Sequence, residues 1–335
     1  MTDLDPIALT MGEPAGIGGE ITLKAWANRD GGPLPPFFTI DDPTRLKKIV
    51  RDLQWPIEVI SITDPAETVN AFRLGLPVLP LKLPSQVKCG KPDLANATSV
   101  VNSIDKAVSF VTKGSASAIV TNPIHKNILY KNGFSHPGHT EYLAKLAGKK
   151  RSAMMLACPG LRTVPVTSHL SLSNAIRTLT TEDIIEKTNI TVSSLKQDFG
   201  VEVPRIAIAA LNPHGGENGR MGLEEYEIIQ PAIDELKRQG VNVKGPAPAD
   251  TLFHAEARES YDAVICMYHD QALIPLKTID FVGGVNITMG LPFVRTSPDH
   301  GTAFEIAGLG VADETSLVSA LRVAADIANR RLNKP

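Results

Sequence analysis

The chain has 335 residues, 43% of them hydrophobic and 21% charged, with a formal net charge of −2. This is an ordinary globular composition, long enough for about two domains and a substantial core. Scattered Lys and Arg with only 5% aromatics offer neither the basic face nor the stacking platform of a nucleic-acid binder, and no apolar run approaches the ~20 residues of a membrane helix.

The N-terminus lacks the basic and apolar regions of a signal peptide. Cys89, Cys158 and Cys266 are odd in number and show no metal-type spacing, so reduced thiols in a cytoplasmic protein are expected. The first predicted strand is residues 6–10. A turn rich in glycine follows and leads into a predicted helix over 21–28. Gly16, Gly18 and Gly19 ahead of that helix either present backbone N–H groups to an anion or form a tight structural turn, and their spacing leaves both open. Neither Gly-x-Gly-x-x-Gly nor a P-loop occurs. Residues 29–95 are rich in Pro and read as irregular, with strands hinted at 37–40 and 57–62.

From 95 to 111 the pattern is helical, with Val100, Val101, Ile104, Val108 and Val111 on one face. A strand over 116–121 ends in Asn-Pro-Ile-His-Lys (122–126). Thr140 is expected to N-cap a helix through Leu146, which places His139 and Thr140 at a helix N-terminus suited to an anion. Then come a strand pair (153–157 and 163–167), a helix capped at Thr180-Thr-Glu-Asp, a strand at 206–210, and a helix from about Glu224. A strand at 263–267 and a last helix over 316–332 complete the set. Residues 275–300 lack a regular pattern. Strands alternating with helices predict the α/β class with a largely parallel sheet.

His169, His214 and His269 each follow a short β-branched or apolar run that reads as a buried strand. Ligands of open α/β sheets gather outside the carboxyl ends of strands, so the three imidazoles are candidates for one divalent metal with an open coordination position. Each alone reads equally well as a hydrogen-bonded loop histidine, and no His-Glu-x-x-His pattern links them. Asp250 suits either an N-cap or a metal-associated carboxylate, with Glu217 and Asp270 weaker options of that type. Arg295 and Lys277 match a carboxylate or phosphate ligand, or are solvated loop charges. Gly301, in the polar run from His300, permits close approach of backbone to a ligand.

Taken together, these segments closely resemble the 4-hydroxythreonine-4-phosphate dehydrogenase family of pyridoxal phosphate biosynthesis. The resemblance rests on Met-Gly-Glu-Pro-Ala-Gly-Ile-Gly (11–18), Asn-Pro-Ile-His-Lys (122–126), Gly-His-Thr-Glu (138–141) and Thr-Ser-His-Leu (167–170). It continues through Leu-Asn-Pro-His-Gly-Gly-Glu (211–217), Gly-Pro-Ala-Pro-Ala-Asp-Thr-Leu-Phe (245–253), Met-Tyr-His-Asp-Gln (267–271), Gly-Val-Asn-Ile-Thr (284–288) and Leu-Pro-Phe-Val-Arg-Thr-Ser-Pro-Asp-His-Gly-Thr-Ala (291–303). Residues 29–95 carry no matching motif.

The resemblance implies an isocitrate/isopropylmalate-dehydrogenase-like α/β fold with two α/β/α domains flanking a cleft. The expected domains are 1–130 with 285–335, and 131–284. It implies a homodimer with its active site at the subunit interface and a divalent metal (zinc, with magnesium or cobalt as alternatives) on His169, His214 and His269, the third ligand coming from the partner subunit. It places His139, Thr140, Lys277, Asn286 and Arg295 on a small phosphorylated substrate. NAD or NADP would sit on the loop of His300, Gly301, Thr302 and Ala303, and Lys277 or Asp250 (through water) would act as general base. The reaction implied is oxidation of a secondary alcohol followed by decarboxylation. Similar proteins act on erythronate or threonate 4-phosphate or on aromatic cis-dihydrodiols, and more distant ones transfer acyl groups to phosphate.

Overall fold

The computed structural model describes residues 4–32, 34–149 and 151–333. The chain divides into two compact units. Unit one runs to residue 150 and resumes over Leu291–Asn333; unit two is Arg151–Gly290.

Unit one begins with β1 (Ile7–Thr10), α1 (Gly18–Ala27), β2 (Phe37–Asp41), α2 (Pro43–Asp52), β3 (Val59–Ser61), α3 (Thr68–Leu74) and β4 (Leu76–Pro80). It continues with α4 (Ala97–Thr112), β5 (Ala118–Thr121), α5 (Lys126–Lys131) and α6 (His139–Leu146). Unit two holds β6 (Ala153–Cys158), β7 (Leu161–Pro165), α7 (Leu172–Thr178), α8 (Thr181–Asp198), β8 (Ile206–Ala209) and α9 (Gln230–Arg238). It ends with β9 (Val243–Ala247), α10 (Ala255–Arg258), β10 (Ala263–Cys266), α11 (His269–Ile279) and β11 (Val285–Met289). The chain then returns to unit one through β12 (Val294–Pro298) and α12 (Thr315–Leu332).

The strands of unit one lie in the order β3-β4-β2-β1-β5-β12 and all their pairings are parallel. Covered strands of this kind bury both faces, so β1 and β2 are buried at every position. The core gathers Phe38, Ile40 and Ile119 from strands with Ile104, Ala107 and Val108 from α4. Each such large side chain contributes about 1.5–3 kcal/mol by leaving water. Unit two orders its strands β11-β6-β7-β10-β8-β9. Here β7, β10, β8 and β9 run parallel, while β6 is antiparallel to both β7 and β11. The α/β class stands, and the parallel sheet expected of the sequence is interrupted at this edge by the β6–β7 hairpin.

Residues 29–95 are more ordered than their composition suggests. Asp42 caps α2 by accepting from the Thr44 N–H at 2.8 Å, and Pro43 follows at the first helical position. That helix buries only Arg45 and Leu46, so it leaves little apolar periodicity to read. The stretch 275–300 likewise holds the end of α11 and two strands. Pro275 inside α11 removes the N–H that would bond the Gln271 carbonyl; that oxygen instead accepts from the Cys266 thiol at 3.7 Å.

The division at 150/151 and 290/291 places α6 and β11 on the other side of the border from the one expected. Tyr142, Leu143 and Ala144 of α6 pack in the same core as Ile104 and Phe293, and β11 pairs along β6. The three cysteines are free thiols. Among the described residues no helix is long and apolar enough to cross a membrane.

Candidate functional site

In unit one, β1, β5 and β12 are adjacent parallel strands, so the loops after them leave from one edge. The glycine turn after β1 is used for close packing. Helix α1 starts at Gly18, three residues earlier than its pattern suggests, so Gly18 and Gly19 are helical. A Cβ on Gly12 (φ +67°) would lie 2.6 Å from the Pro123 carbonyl oxygen, and one on Gly16 would lie 2.8 Å from that of Thr302. The Ile17 N–H donates to the same Thr302 oxygen at 3.1 Å. The loop from His300 is thereby seated on the turn. Glu20, buried on α1, accepts from the backbone N–H groups of Gly308 (2.5 Å) and Gly310 (2.8 Å), and Phe304 meets the His125 ring edge-on with centroids 5.0 Å apart. Within that loop Ala303 takes a left-handed backbone, φ 43°.

Beside it lies a buried cation. Arg295, on β12, is 3% exposed and donates to the Thr121 hydroxyl at 2.6 Å. Burial pulls its pKa down to about 10, opposed by the nearby Glu141 carboxylate, so it stays charged near neutrality. His139 opens α6, and its Nε2 is buried with no hydrogen-bond partner. Burial first, then the positive charges of Arg295 and Lys126, hold its pKa well below the ordinary imidazole range, so the ring is neutral. The cap of α6 is Gly138, which has no side chain; Thr140 is the second helical residue rather than the cap. The first-turn N–H groups therefore lack a side-chain acceptor. Lys126 Nζ and Glu141 Oε2 each lie 3.6 Å from the point a residue-138 Cβ would occupy. A desolvated guanidinium, an ammonium, a neutral imidazole and a helix N-terminus form a corner suited to an anion.

In unit two, β7, β10 and β8 are adjacent and parallel, and His169, His269 and His214 follow their respective carboxyl ends. The structure brings two of the three together. The rings of His169 and His269 stand with centroids 6.0 Å apart over a hollow of about 230 Å³ lined by Thr167, Leu170, Tyr268 and Asp270. Zn–N bonds of about 2.0–2.1 Å place two imidazole ligands of one ion with centroids roughly 5–6 Å apart, so the pair fits as part of a metal site. Asp270 Oδ1 lies 2.7 Å from His269 Nδ1, which orients the ring and leaves Nε2 as the donor. His214 sits in a turn of its own. Among the described residues no three His, Cys, Asp or Glu groups stand together closely enough to hold an ion.

The histidine loops are strained. His169 (φ 57°), His214 (φ 53°), Glu217 (φ 43°) and Asn218 (φ 60°) all adopt the left-handed backbone that side chains disfavour. Such strain persists where surrounding structure enforces it and clusters at functional sites. Asp250 lies exposed in the 3-10 turn Ala249–Thr251, whose cap is Pro248, so the N-cap role is not made. Lys277 is on α11, two helical turns beyond His269, with its Nζ 5.3 Å from the Phe281 ring centroid. Asn286 is on β11 opposite Leu156. Sequence reasoning passed over Lys126, whose signal is its place at a strand-end loop beside a helix start, and over Glu20 and Glu225, which hold the loops around residues 308–310 and 211–212 by accepting from their backbone N–H groups.

Clusters of polar side chains at the carboxyl ends of adjacent parallel strands are the architecture of an α/β enzyme. The family model described as pyridoxal phosphate biosynthetic protein PdxA matches residues 34–324, and the chain belongs to that family. The 4-hydroxythreonine-4-phosphate dehydrogenase of Paracoccus denitrificans is 49% identical, covering 99% of this chain and 100% of its own. That of Bradyrhizobium diazoefficiens is 47% identical, covering 96% of this chain and 97% of its own. The crystal structure of 4-hydroxythreonine-4-phosphate dehydrogenase from Klebsiella pneumoniae superposes with a TM-score of 0.86 at 38% identity, covering 97% of this chain and 99% of that one. The family is one of oxidoreductases, in agreement with the resemblance carried by the motifs.

Proposed function

We propose that this chain is a metal-dependent, NAD(P)-linked 4-hydroxythreonine-4-phosphate dehydrogenase. It oxidises 4-phosphohydroxy-L-threonine to 2-amino-3-oxo-4-phosphooxybutanoate, which decarboxylates to 3-amino-2-oxopropyl phosphate in pyridoxine 5'-phosphate biosynthesis. The observation that carries this reading is the anion corner: Arg295 buried on β12 beside a neutral His139 and the uncapped start of α6. Such a corner favours a ligand with a phosphate or carboxylate, and this substrate has both.

Arg295 binds an anionic end of the substrate, and His139 and Thr140 hydrogen-bond it. Lys277 and Asn286 complete the substrate contacts. Lys277, or Asp250 through a water, takes the hydroxyl proton. His300, Gly301, Thr302 and Ala303 would hold NAD or NADP, whose nicotinamide would supply the hydride acceptor. His169, His214 and His269 would hold zinc, with magnesium or cobalt as alternatives, and Asp270 keeps the His269 ring aligned. A bound divalent ion supplies Lewis acidity to the reacting hydroxyl.

The partner is a second copy of the chain, completing the ligand set across a homodimer interface. Exposed apolar side chains in the same unit support this: Leu172, lining the hollow with His169, is 57% exposed, and Ile274 on α11 and Phe281 just past its end are 64% and 76% exposed.

The test follows nucleotide reduction with 4-phosphohydroxy-threonine, a 4-phosphoerythronate or threonate, and an aromatic dihydrodiol, in metal-stripped and reloaded protein. Turnover of the first substrate alone, lost on stripping and restored by zinc, magnesium or cobalt, is expected. Full turnover in stripped protein, or preference for another substrate, overturns the reading. Mixing inactive His169→Ala protein with inactive His269→Ala or with inactive His214→Ala should recover activity in at least one pairing. No recovery in either, with subunit exchange confirmed, removes the shared site.

A further inference from the structure

We propose that Glu225 is a positioning residue that sets the direction of the His214 imidazole. The inference rests on the reading of His214 as a metal ligand. Glu225 is 3% exposed and begins a single π-helical turn, Glu225–Ile229, just before α9. Its Oε1 accepts two backbone N–H bonds, from Leu211 at 2.9 Å and Asn212 at 2.8 Å. Its Oε2 accepts the Asn212 side-chain N–H at 2.9 Å. Asn212 also donates to Glu224 at 2.7 Å. Residues 211–212 are where the chain leaves β8, two positions before His214.

From His214 onward the backbone is left-handed for six residues: His214 φ 53°, Gly215 φ 64°, Gly216 φ 77°, Glu217 φ 43°, Asn218 φ 60° and Gly219 φ 85°. Three of these carry side chains, for which the conformation is unfavourable. Turn hydrogen bonds hold its later part, with the Gly219 and Met221 N–H groups donating to the Gly216 carbonyl at 2.9 and 3.1 Å, while its entry at 211–212 is fixed from outside. The buried carboxylate does this with charge-assisted bonds to consecutive amides. It also underlies the turn itself: a Cβ at Gly216 would lie 2.7 Å from Glu225 Oε2. The π turn matters because its wider winding is an element recurrent at functional sites, and here it delivers the carboxylate to the strand end. The exposed His214 is thus aimed by a buried acid eleven residues downstream, much as outer-sphere groups orient ligands that coordinate directly.

The experiment uses the full chain, with zinc as the probe. Zinc affinity is measured by chelator competition in Glu225→Ala, Asn212→Ala and Leu236→Ala, the last a core truncation on α9 as a stability control. In parallel, the His214 Cα chemical shift, which reports positive φ, is read in zinc-free protein labelled at histidine. Glu225→Ala should weaken zinc binding by roughly 10–100-fold and move the His214 shift out of the left-handed range. Asn212→Ala should do both to a smaller degree, and it decides the matter if Glu225→Ala does not fold. Leu236→Ala should lower the melting temperature and leave zinc affinity and the shift in place. An unmoved shift, or a loss of affinity no larger than in Leu236→Ala, overturns the proposal. His214→Ala separates the two readings: if it binds zinc as tightly as the unsubstituted chain, the metal assignment fails while the Cα shift still decides whether Glu225 holds the turn.

Discussion

In unit one a cation near the start of β12, Arg295, reaches the Thr121 hydroxyl at the carboxyl end of β5 and is almost wholly buried, next to an imidazole forced to stay neutral. In unit two the ends of β7, β10 and β8 carry imidazoles that stand near the surface, with the His269 side chain 36% exposed at the start of α11 and His169 and His214 on left-handed backbone. Each set is three adjacent parallel strands, and the stored cost differs in kind. The first corner holds desolvated charge on regular backbone, which an arriving anion relieves directly. The second holds conformational strain, and its imidazoles stay accessible. A phosphate needs fixed positive potential; a metal needs lone pairs at defined angles.

The comparison is broken most severely by removing the buried cation. Arg295→Ala should lower kcat/KM for the phosphorylated substrate by roughly 10²–10³-fold, the scale of deleting one member of a desolvated charge pair. Steady-state kinetics checks this, and a loss below tenfold would place the anion elsewhere. In unit two the matching change is gentler. Asp270→Asn keeps a hydrogen bond to His269 Nδ1 but loses the charge, and should weaken zinc by about tenfold. Chelator competition showing unchanged affinity would mean that Asp270 does not orient the ring.

The smallest effect concerns protonation. The folded-state pKa of His139 lies below its ordinary value of 6.5 because of burial and the neighbouring cations. Between the two values the unfolded chain binds more protons than the folded one. The stability contributed is therefore complete above 6.5 and declines as pH falls toward the folded pKa, by at most about 1.4 kcal/mol per pH unit. Urea titrations at pH 7 and pH 5 should show a smaller acid-side loss in His139→Asn than in the unsubstituted chain. Equal losses would show that the imidazole titrates freely.

Much of this was legible. The strands β1, β5, β8 and β10 are short apolar runs, and Thr180 caps α8 by accepting from the Asp183 N–H at 3.1 Å, as its spacing indicates. The placement of the three histidines at strand ends was likewise readable from the runs before them. Helices α2 and α3 were hidden because they bury few residues. Strand β12 was hidden for the opposite reason: it is buried throughout yet mostly polar. Polar groups on it bond to neighbours distant in sequence, Arg295 to the Thr121 hydroxyl and Thr296 to the Ala320 carbonyl at 2.8 Å. Glu20 and Glu225 were invisible because an acid in a first helical turn already has a sufficient local explanation in the helix dipole.

The contact between Gly16 and Thr302 bears on how this chain tolerates change. Space at most crowded positions is negotiable, since a larger residue on one side can be matched by a smaller one opposite. Here the nearest obstacle to a Cβ at position 16 is the Thr302 carbonyl oxygen at 2.8 Å, with the Thr302 Cβ at 3.1 Å. Trimming residue 302 even to glycine leaves that oxygen in place, because every amino acid carries it. No second-site replacement at 302 can make the room, so position 16 admits one letter for as long as the loop keeps its seat.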